Sequence, residues 1–294
     1  MNKSIKGSLS ILTGAFLISF SPVFVKLVDL QPTVSGFYRM FFGCISLLVI
    51  FLIKNNENPF KRKVSKFIIF GAVFFSLDLW FWHRSIVYVG PGLSTLLANF
   101  QILILPFLAL LMFNQKTQKI QIFSIFLGLL GLYFIAGENW GIASYNYKLG
   151  ILFGLLTAVS YAGYIISMKR IDHNVKVNSD PIFNLMFVSL ISAVLLLLFL
   201  FAEQESISIK SFNNLIWMIF YGLLSHVLGW FFILNGLQKI TAVSAGIILL
   251  AQPIFSYVWE IIIFQKVILP IEYLGIVSVL LAMIITITSE NQKN

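Results

Sequence analysis

The sequence has little charge for its length. Only 11% of its 294 residues are charged, whereas 59% are hydrophobic and the mean hydropathy is +0.94. Soluble domains carry roughly a quarter of their residues as charged side chains, so the composition excludes a fold covered by water. Lipid must replace water around much of the surface. The sequence therefore predicts an all-α integral membrane protein.

Cysteine and histidine are scarce. Cys44 is the single cysteine, and the three histidines are scattered at His83, His173 and His226. One cysteine cannot form an internal disulfide, and no Cys/His spacing resembles a zinc motif. A Gly-Lys-Ser/Thr phosphate loop is also absent. We therefore expect no cofactor, no metal site and no catalytic residues.

Long apolar runs fill the chain instead. About 20 apolar residues cross a hydrocarbon core of roughly 30 Å. Ten such spans are predicted, at residues 7–28, 33–53, 65–88, 91–112, 118–137, 149–169, 181–201, 213–236, 241–264 and 269–288. The first has Lys3 and Lys6 before it, as in a secretory signal. It continues to about Val28 without a small-x-small cleavage pattern, so we interpret it as a retained span.

The net charge of +9 lies in short clusters between the apolar runs. This distribution is not the single basic face or tail that binds nucleic acid, so no nucleic-acid partner is expected. With the N-terminus inside, the inner loops hold 14 Lys and Arg residues and the outer ends and loops hold 5. The bias predicts a multi-pass protein of the cytoplasmic (inner) membrane with both termini cytoplasmic.

The two halves of the chain resemble each other. The matches, at offsets of 143 to 151, are Gly7 with Gly150, Lys26 with Lys169, Trp80 with Trp230, Gln101 with Gln252 and Ser124 with Gly275. Their order predicts two five-helix repeats, at residues 1–140 and 141–294. Because each repeat has an odd number of spans, the second enters the membrane inverted. Inverted repeats are typical of transporters that rock about a site near the midplane.

Several polar residues are predicted near the middle of the membrane. At 1.5 Å per residue, Asp78, Gln101, His226 and Gln252 lie about 15–16 Å from a span end, and Tyr161 about 18 Å. A charged carboxylate there costs at least about 2.5 kcal/mol. Asp78 is thus either a proton-coupling or substrate-amine site, or one half of a structural lock with Arg39 of the second span.

The other polar candidates also have two interpretations each. Gln101, Gln252 and Asn99 either bind a polar ligand or join helices by hydrogen bonds. His226 either gates and relays protons or is a satisfied buried histidine. Trp82 and Trp230 follow Asp78 and His226 by four residues and share their helix faces. They either contact a cationic or planar ligand or pack against protein and lipid. The candidate substrate-binding residues are Asp78, Trp82, Asn99, Gln101, Tyr161, His226, Trp230 and Gln252, and the candidate coupling or gating residues are Asp78, Arg39 and His226.

Four stretches resemble a known family. Asp78–Ser85 (DLWFWHRS) and Leu96–Gln101 (LLANFQ) are similar to the third and fourth helices of EamA-type members of the drug/metabolite transporter superfamily. Ser225–Trp230 (SHVLGW) and Leu249–Pro253 (LLAQP) are similar to the eighth and ninth. Arg39 stands where that family often has an arginine. The resemblance implies ten helices in two inverted units, and transport of amino acids, nucleotide-linked metabolites or drug-like compounds.

Together these features predict a secondary active transporter that moves a small metabolite by alternating access, with proton coupling left open. A channel, a structural scaffold and an intramembrane enzyme are the alternatives. The enzyme is disfavoured because the histidines are scattered and Asp78 is the only acid placed clearly near the midplane. The expected partners are a small-molecule substrate, protons where transport is coupled, and membrane lipid. A monomer and a homodimer both remain open.

Overall fold

The computed structural model describes residues 3–136, 145–173, 180–265 and 269–291, and these ranges contain no strand. Their ten helical spans, called first to tenth below, are Lys3–Leu27, Pro32–Asn55, Lys66–Gly90, Ser94–Phe113, Lys119–Ala136, Tyr145–Ile171, Pro181–Glu203, Phe212–Leu237, Ala242–Phe264 and Pro270–Ser289. In the described ranges nine are long and apolar enough to cross a membrane. The fifth has a shorter apolar stretch, Lys119–Phe134, within an 18-residue helix, which is about 27 Å long. The predicted ten-helix fold is confirmed.

Local sequence explains where the spans begin and end. Pro32 and Pro181 occupy first turns, where the missing N–H costs little. The Asp180 side chain accepts a hydrogen bond from Ile182 N at 3.0 Å and so caps the seventh span. Asn114 ends the fourth span in the left-handed conformation. Gly90 has φ of +82° between the third and fourth spans, a conformation that favours glycine.

Each span packs against a span from the other half of the chain. The pairs are first with eighth, second with seventh, third with sixth, fourth with ninth and fifth with tenth. If each span is replaced by its counterpart in the other half (the first by the sixth, the eighth by the third), the pair of first and eighth becomes the pair of sixth and third. The set of pairs is therefore unchanged. Such pairing is what two inverted five-helix units produce. The predicted boundary between residues 140 and 141 lies outside the described residues.

Glycines allow the first and eighth spans to cross closely. A Cβ on Gly14 would lie 2.6 Å from the Gly229 carbonyl oxygen, and one on Gly236 would lie 2.5 Å from the Gly7 carbonyl oxygen. Position 7 thus meets position 236 and position 14 meets position 229, so the two helices run antiparallel. Small residues at such crossings let helix backbones approach each other where lipid supplies no hydrophobic driving force.

Candidate functional site

One cavity brings together residues from seven spans. Its lining includes seven residues singled out from the sequence: Arg39, Asp78, Trp82, Asn99, Tyr161, Trp230 and Gln252. The volume of the cavity is about 40 Å³, which is room for about three waters. A metabolite therefore requires the cavity to widen. The sequence-predicted residues are adjacent in space, and their roles in binding remain a proposal.

Three spans are irregular beside this cavity. The α-helix of the first is interrupted between Ile18 and Ser21, that of the fourth at Asn99–Phe100, and that of the ninth at Leu249–Leu250. In the fourth and ninth the backbone tightens to i→i−3 hydrogen bonds, such as Phe100 N to Leu97 O and Gln252 N to Leu249 O. Such 3₁₀-type stretches within a helix often mark a functional hinge.

The two charged residues of the cavity are not paired with each other. Both Arg39 and Asp78 are buried. Arg39 Nη1 donates a hydrogen bond to the Tyr221 hydroxyl at 3.1 Å, and the guanidinium lies 4.9 Å from the centre of the Tyr221 ring. Asp78 forms no hydrogen bond or ion pair with any residue in the described ranges. The direct Asp78–Arg39 lock, one of the two interpretations left open by the sequence, is not formed in this conformation.

Aromatic residues supply most of the remaining wall. Trp82, Tyr161 and Trp230 are buried, and the indole nitrogen of Trp230 and the hydroxyl of Tyr161 have no hydrogen-bond partner in the described chain. The rings of Phe75, Tyr164 and Trp230 pack together, with centroid distances of 4.4 Å from Phe75 to Tyr164 and 4.6 Å from Tyr164 to Trp230. Phe75 precedes Asp78 by three residues, so this cluster covers the side of the cavity towards Lys66.

His226 lies outside the cavity lining. Its Nε2 is 2.7 Å from the Ser189 Oγ, and its ring stacks on Phe75 at 5.6 Å. Trp230 also packs on Phe75, at 5.2 Å, so the two residues share a neighbour. Trp230 lines the cavity, whereas the His226 ring contacts Ser189 of the seventh span. At this point the eighth span forms a π-helical turn over Tyr221–Leu228.

Gln101 also lies behind the wall rather than in it. It is fully buried, and neither amide atom has a hydrogen-bond partner in the described residues. Its amide lies near the Tyr161 hydroxyl without the geometry of a hydrogen bond. Its repeat mate Gln252 does line the cavity. The two glutamines therefore do not occupy equivalent positions in this conformation.

Comparison with known proteins agrees with this architecture. The sequence matches the model of the EamA-like transporter family over residues 5–137 and 148–288. The chain belongs to this family. As an EamA-like protein it is a multi-pass membrane protein.

Two relatives extend the comparison. The EamA-like chain is 27% identical over 194 residues to an uncharacterized transporter of Clostridium kluyveri, a match that covers 65% of this chain and 61% of the relative's length. It also shares its fold with a protein of known crystal structure, at a TM-score of 0.82 and 13% sequence identity. That likeness covers 97% of this chain and 98% of the other.

The structure adds residues that the sequence did not indicate. Phe75 and Thr157 line the cavity of this EamA-like protein, yet an apolar ring and a hydroxyl within apolar runs carry no sequence signal. Tyr221 was also missed, because nothing in the sequence marks it as a partner of Arg39. Within the described ranges, no group of three or more His, Cys, Asp or Glu side chains could hold a metal ion.

A polar network lies beyond the cavity, at the predicted outer end of the second, third and seventh spans. Glu203 accepts hydrogen bonds from Thr33 Oγ1 and Trp80 Nε1, each at 2.7 Å, and pairs with Arg84. Arg84 Nη1 donates in turn to Thr33 Oγ1 at 3.0 Å. The network joins both halves of the EamA-like fold, because Thr33, Trp80 and Arg84 belong to the first half and Glu203 to the second.

Proposed function

We propose that this protein is a secondary active transporter that moves a small metabolite across the cytoplasmic membrane by alternating access. The observation that carries the proposal is a cavity among irregular helices that holds two buried ionisable residues, Arg39 and Asp78, unpaired with each other. Ionisable groups at membrane depth are costly, and they mark substrate or ion pathways. A substrate that supplies the missing partners accounts for their presence. Asp78 is the candidate proton carrier.

Of the three substrate classes implied by the family, the cavity best supports a small amino-acid-like zwitterion. A carboxylate group would pair with the Arg39 guanidinium, which suits it geometrically. An ammonium group would pair with Asp78 and lie near the Trp82 ring.

The packing also supports a carrier over a channel. The rings of Phe75, Tyr164 and Trp230 fill the space on one side of the cavity. A conducting pore requires a continuous path, whereas a carrier requires the site to be closed on one side at a time.

Uptake by reconstituted protein tests the proposal. Proteoliposomes are incubated with pooled, labelled L-amino acids, nucleosides or cationic dyes in the outside medium, with and without a pH gradient, beside protein-free liposomes. We expect amino-acid flux that saturates and that falls in Arg39→Gln and Asp78→Asn protein. Flux of another class alone contradicts the substrate assignment. Flux that does not saturate indicates a channel, and no flux of any pool contradicts transport.

A further inference from the structure

The position of Arg39 depends on an irregular part of the eighth span. This span contains the π-helical turn Tyr221–Leu228. A Cβ on Gly222 would lie 2.8 Å from Phe42 Cβ and 3.2 Å from the Arg39 carbonyl oxygen. The backbone of the π turn therefore touches the second span at the level of Arg39. π turns within helices are frequent at functional sites, and this one brings the Tyr221 hydroxyl to the guanidinium.

A chain of hydrogen bonds continues from Tyr221 to His83. His83 Nδ1 lies 2.7 Å from the Leu79 carbonyl oxygen, which can only accept, so Nδ1 carries a proton. Nε2 of a neutral imidazole is then an acceptor, and the Tyr221 hydroxyl approaches it at 3.5 Å, a long contact. The hydroxyl oxygen accepts from Arg39 Nη1 at 3.1 Å. Each group in this order donates or accepts in the only direction open to it.

The hydrogen bonds that join Arg39, Tyr221 and His83, called the relay below, leave part of Arg39 free for a ligand. Arg39 Nε is buried and has no hydrogen-bond partner in the described chain, and Arg39 lines the cavity, whereas Tyr221 and His83 do not. We infer that Tyr221 and His83 are positioning residues, which hold the Arg39 guanidinium so that it meets the anionic group of the substrate. The inference rests on the proposed function, because it presumes that Arg39 binds substrate.

A purely structural role for Tyr221 can be separated from this one. The Tyr221 ring packs on Phe24 at a centroid distance of 5.8 Å and beneath the guanidinium. Tyr221→Phe keeps those contacts and removes only the hydroxyl. Tyr38→Phe is the matched control, since the Tyr38 hydroxyl makes one hydrogen bond, to the Ile207 carbonyl oxygen at 2.7 Å, away from the cavity lining.

The first measurement does not depend on transport. The full chain is labelled with ¹⁵N-histidine in lipid nanodiscs, and the His83 signals are assigned by their loss in His83→Gln protein. We expect Nδ1 protonated and Nε2 unprotonated, with only the Nε2 signal of His83 shifted by Tyr221→Phe. Protonation at Nε2 instead, or no response to Tyr221→Phe, overturns the relay.

The second measurement is the KM for the labelled L-amino acid that wild-type protein takes up fastest. Tyr221→Phe should raise this KM about tenfold, the size expected when a hydrogen bond to a charged group is lost. The maximal rate should change little, and Tyr38→Phe should keep the wild-type KM. His83→Leu should resemble Tyr221→Phe, whereas His83→Gln, which keeps an acceptor, should restore most of the affinity.

Coupling to Arg39 decides the interpretation. In an Arg39→Gln background, Tyr221→Phe should have no further effect on KM, because it acts through Arg39. Additive effects of the two changes overturn the inference. Absence of any wild-type uptake contradicts the proposed function instead, and the histidine signals still decide whether the relay exists.

Discussion

Asp78 is the residue at which the structure changes the expectation most. The sequence left open a lock with Arg39, and removing one partner of a buried ion pair costs about 3–5 kcal/mol. In the structure Arg39 bonds to Tyr221, and Asp78 has no ion-pair partner within the described chain. Removal of the carboxylate charge therefore leaves no group newly unpaired.

We expect Asp78→Asn protein to fold with stability close to that of the wild type, because the amide keeps the shape of the carboxyl group and the change leaves no partner unpaired. It should lose accumulation of substrate against a gradient, and exchange of substrate across the membrane should continue only at a raised KM, because the amide no longer pairs with the substrate ammonium. Thermal unfolding in detergent and proton flux measured with substrate flux in liposomes check both parts. Asp180→Asn, at a site where Lys54 approaches at 3.8 Å near the membrane surface, is the control and should accumulate normally. Normal proton-dependent accumulation by folded Asp78→Asn protein would remove Asp78 from coupling.

The two glutamines lead to a second prediction. Gln252→Ala should raise the KM about tenfold, since it removes a cavity-lining amide. Gln101→Leu should leave the KM and the stability unchanged, since the buried amide of Gln101 has no hydrogen bond to lose. Uptake kinetics and denaturant unfolding distinguish the outcomes. A loss of about 0.6 kcal/mol in Gln101→Leu would show instead that this amide joins helices.

The part of the site that could be predicted from the sequence is the depth of its polar residues in the membrane. Counting residues from span ends identifies Asp78 and Gln252 as polar groups near the midplane, and both line the cavity. Depth does not determine which way a side chain points. His226 contacts Ser189 and Gln101 is fully buried, and neither residue lines the cavity. The sequence did not indicate Tyr221, because its hydrogen bond with Arg39 joins two different spans.

At the scale of helices, glycines allow the first and eighth spans to cross closely, and substitution of one of them tests this. Gly14→Leu should destabilise the protein by about 3 kcal/mol, because even a Cβ at this position would lie 2.5 Å from Ile233 Cγ1 and 2.6 Å from the Gly229 carbonyl oxygen. Gly36→Ala is the matched control. Its Cβ would meet nothing closer than 3.7 Å, so stability should be unchanged or rise by up to about 1 kcal/mol. Unfolding of both variants in detergent makes the comparison, and equal tolerance of both would contradict the tight crossing.

The existence and order of the spans followed from hydropathy, but their interruptions did not. Apolar runs and bordering prolines located the second span at 33–53, and the structure has Pro32–Asn55. The breaks at Asn99–Phe100 and Leu249–Leu250 occur inside apolar runs. The backbone there keeps right-handed helical angles and tightens to i→i−3 hydrogen bonds, which hydropathy alone does not indicate. Pro253 lies in the first turn after its break, where a missing N–H costs little.

At the scale of the whole molecule, the orientation and the fifth span remain to be tested together. The loop between the second and third spans, with the span ends beside it, contains the densest basic cluster, Lys54, Lys61, Arg62, Lys63 and Lys66, so we expect it to be cytoplasmic. The loop after the seventh span is then outside, because five spans separate the two loops. Should the Lys119–Ala136 helix fail to cross the membrane, four crossings would separate them and both loops would lie on one side.

Single cysteines in a Cys44→Ala background distinguish these arrangements. Asn58 and Ser206 are exposed in the two loops. In sealed right-side-out cells, an impermeant thiol reagent should label Ser206→Cys and leave Asn58→Cys unlabelled until the membrane is permeabilised. Labelling of Asn58→Cys alone would show the opposite orientation. Labelling of both variants, or of neither, before permeabilisation would show that the fifth span does not cross the membrane. That last result would also remove the inversion of the second half, since inversion requires an odd number of spans in the first.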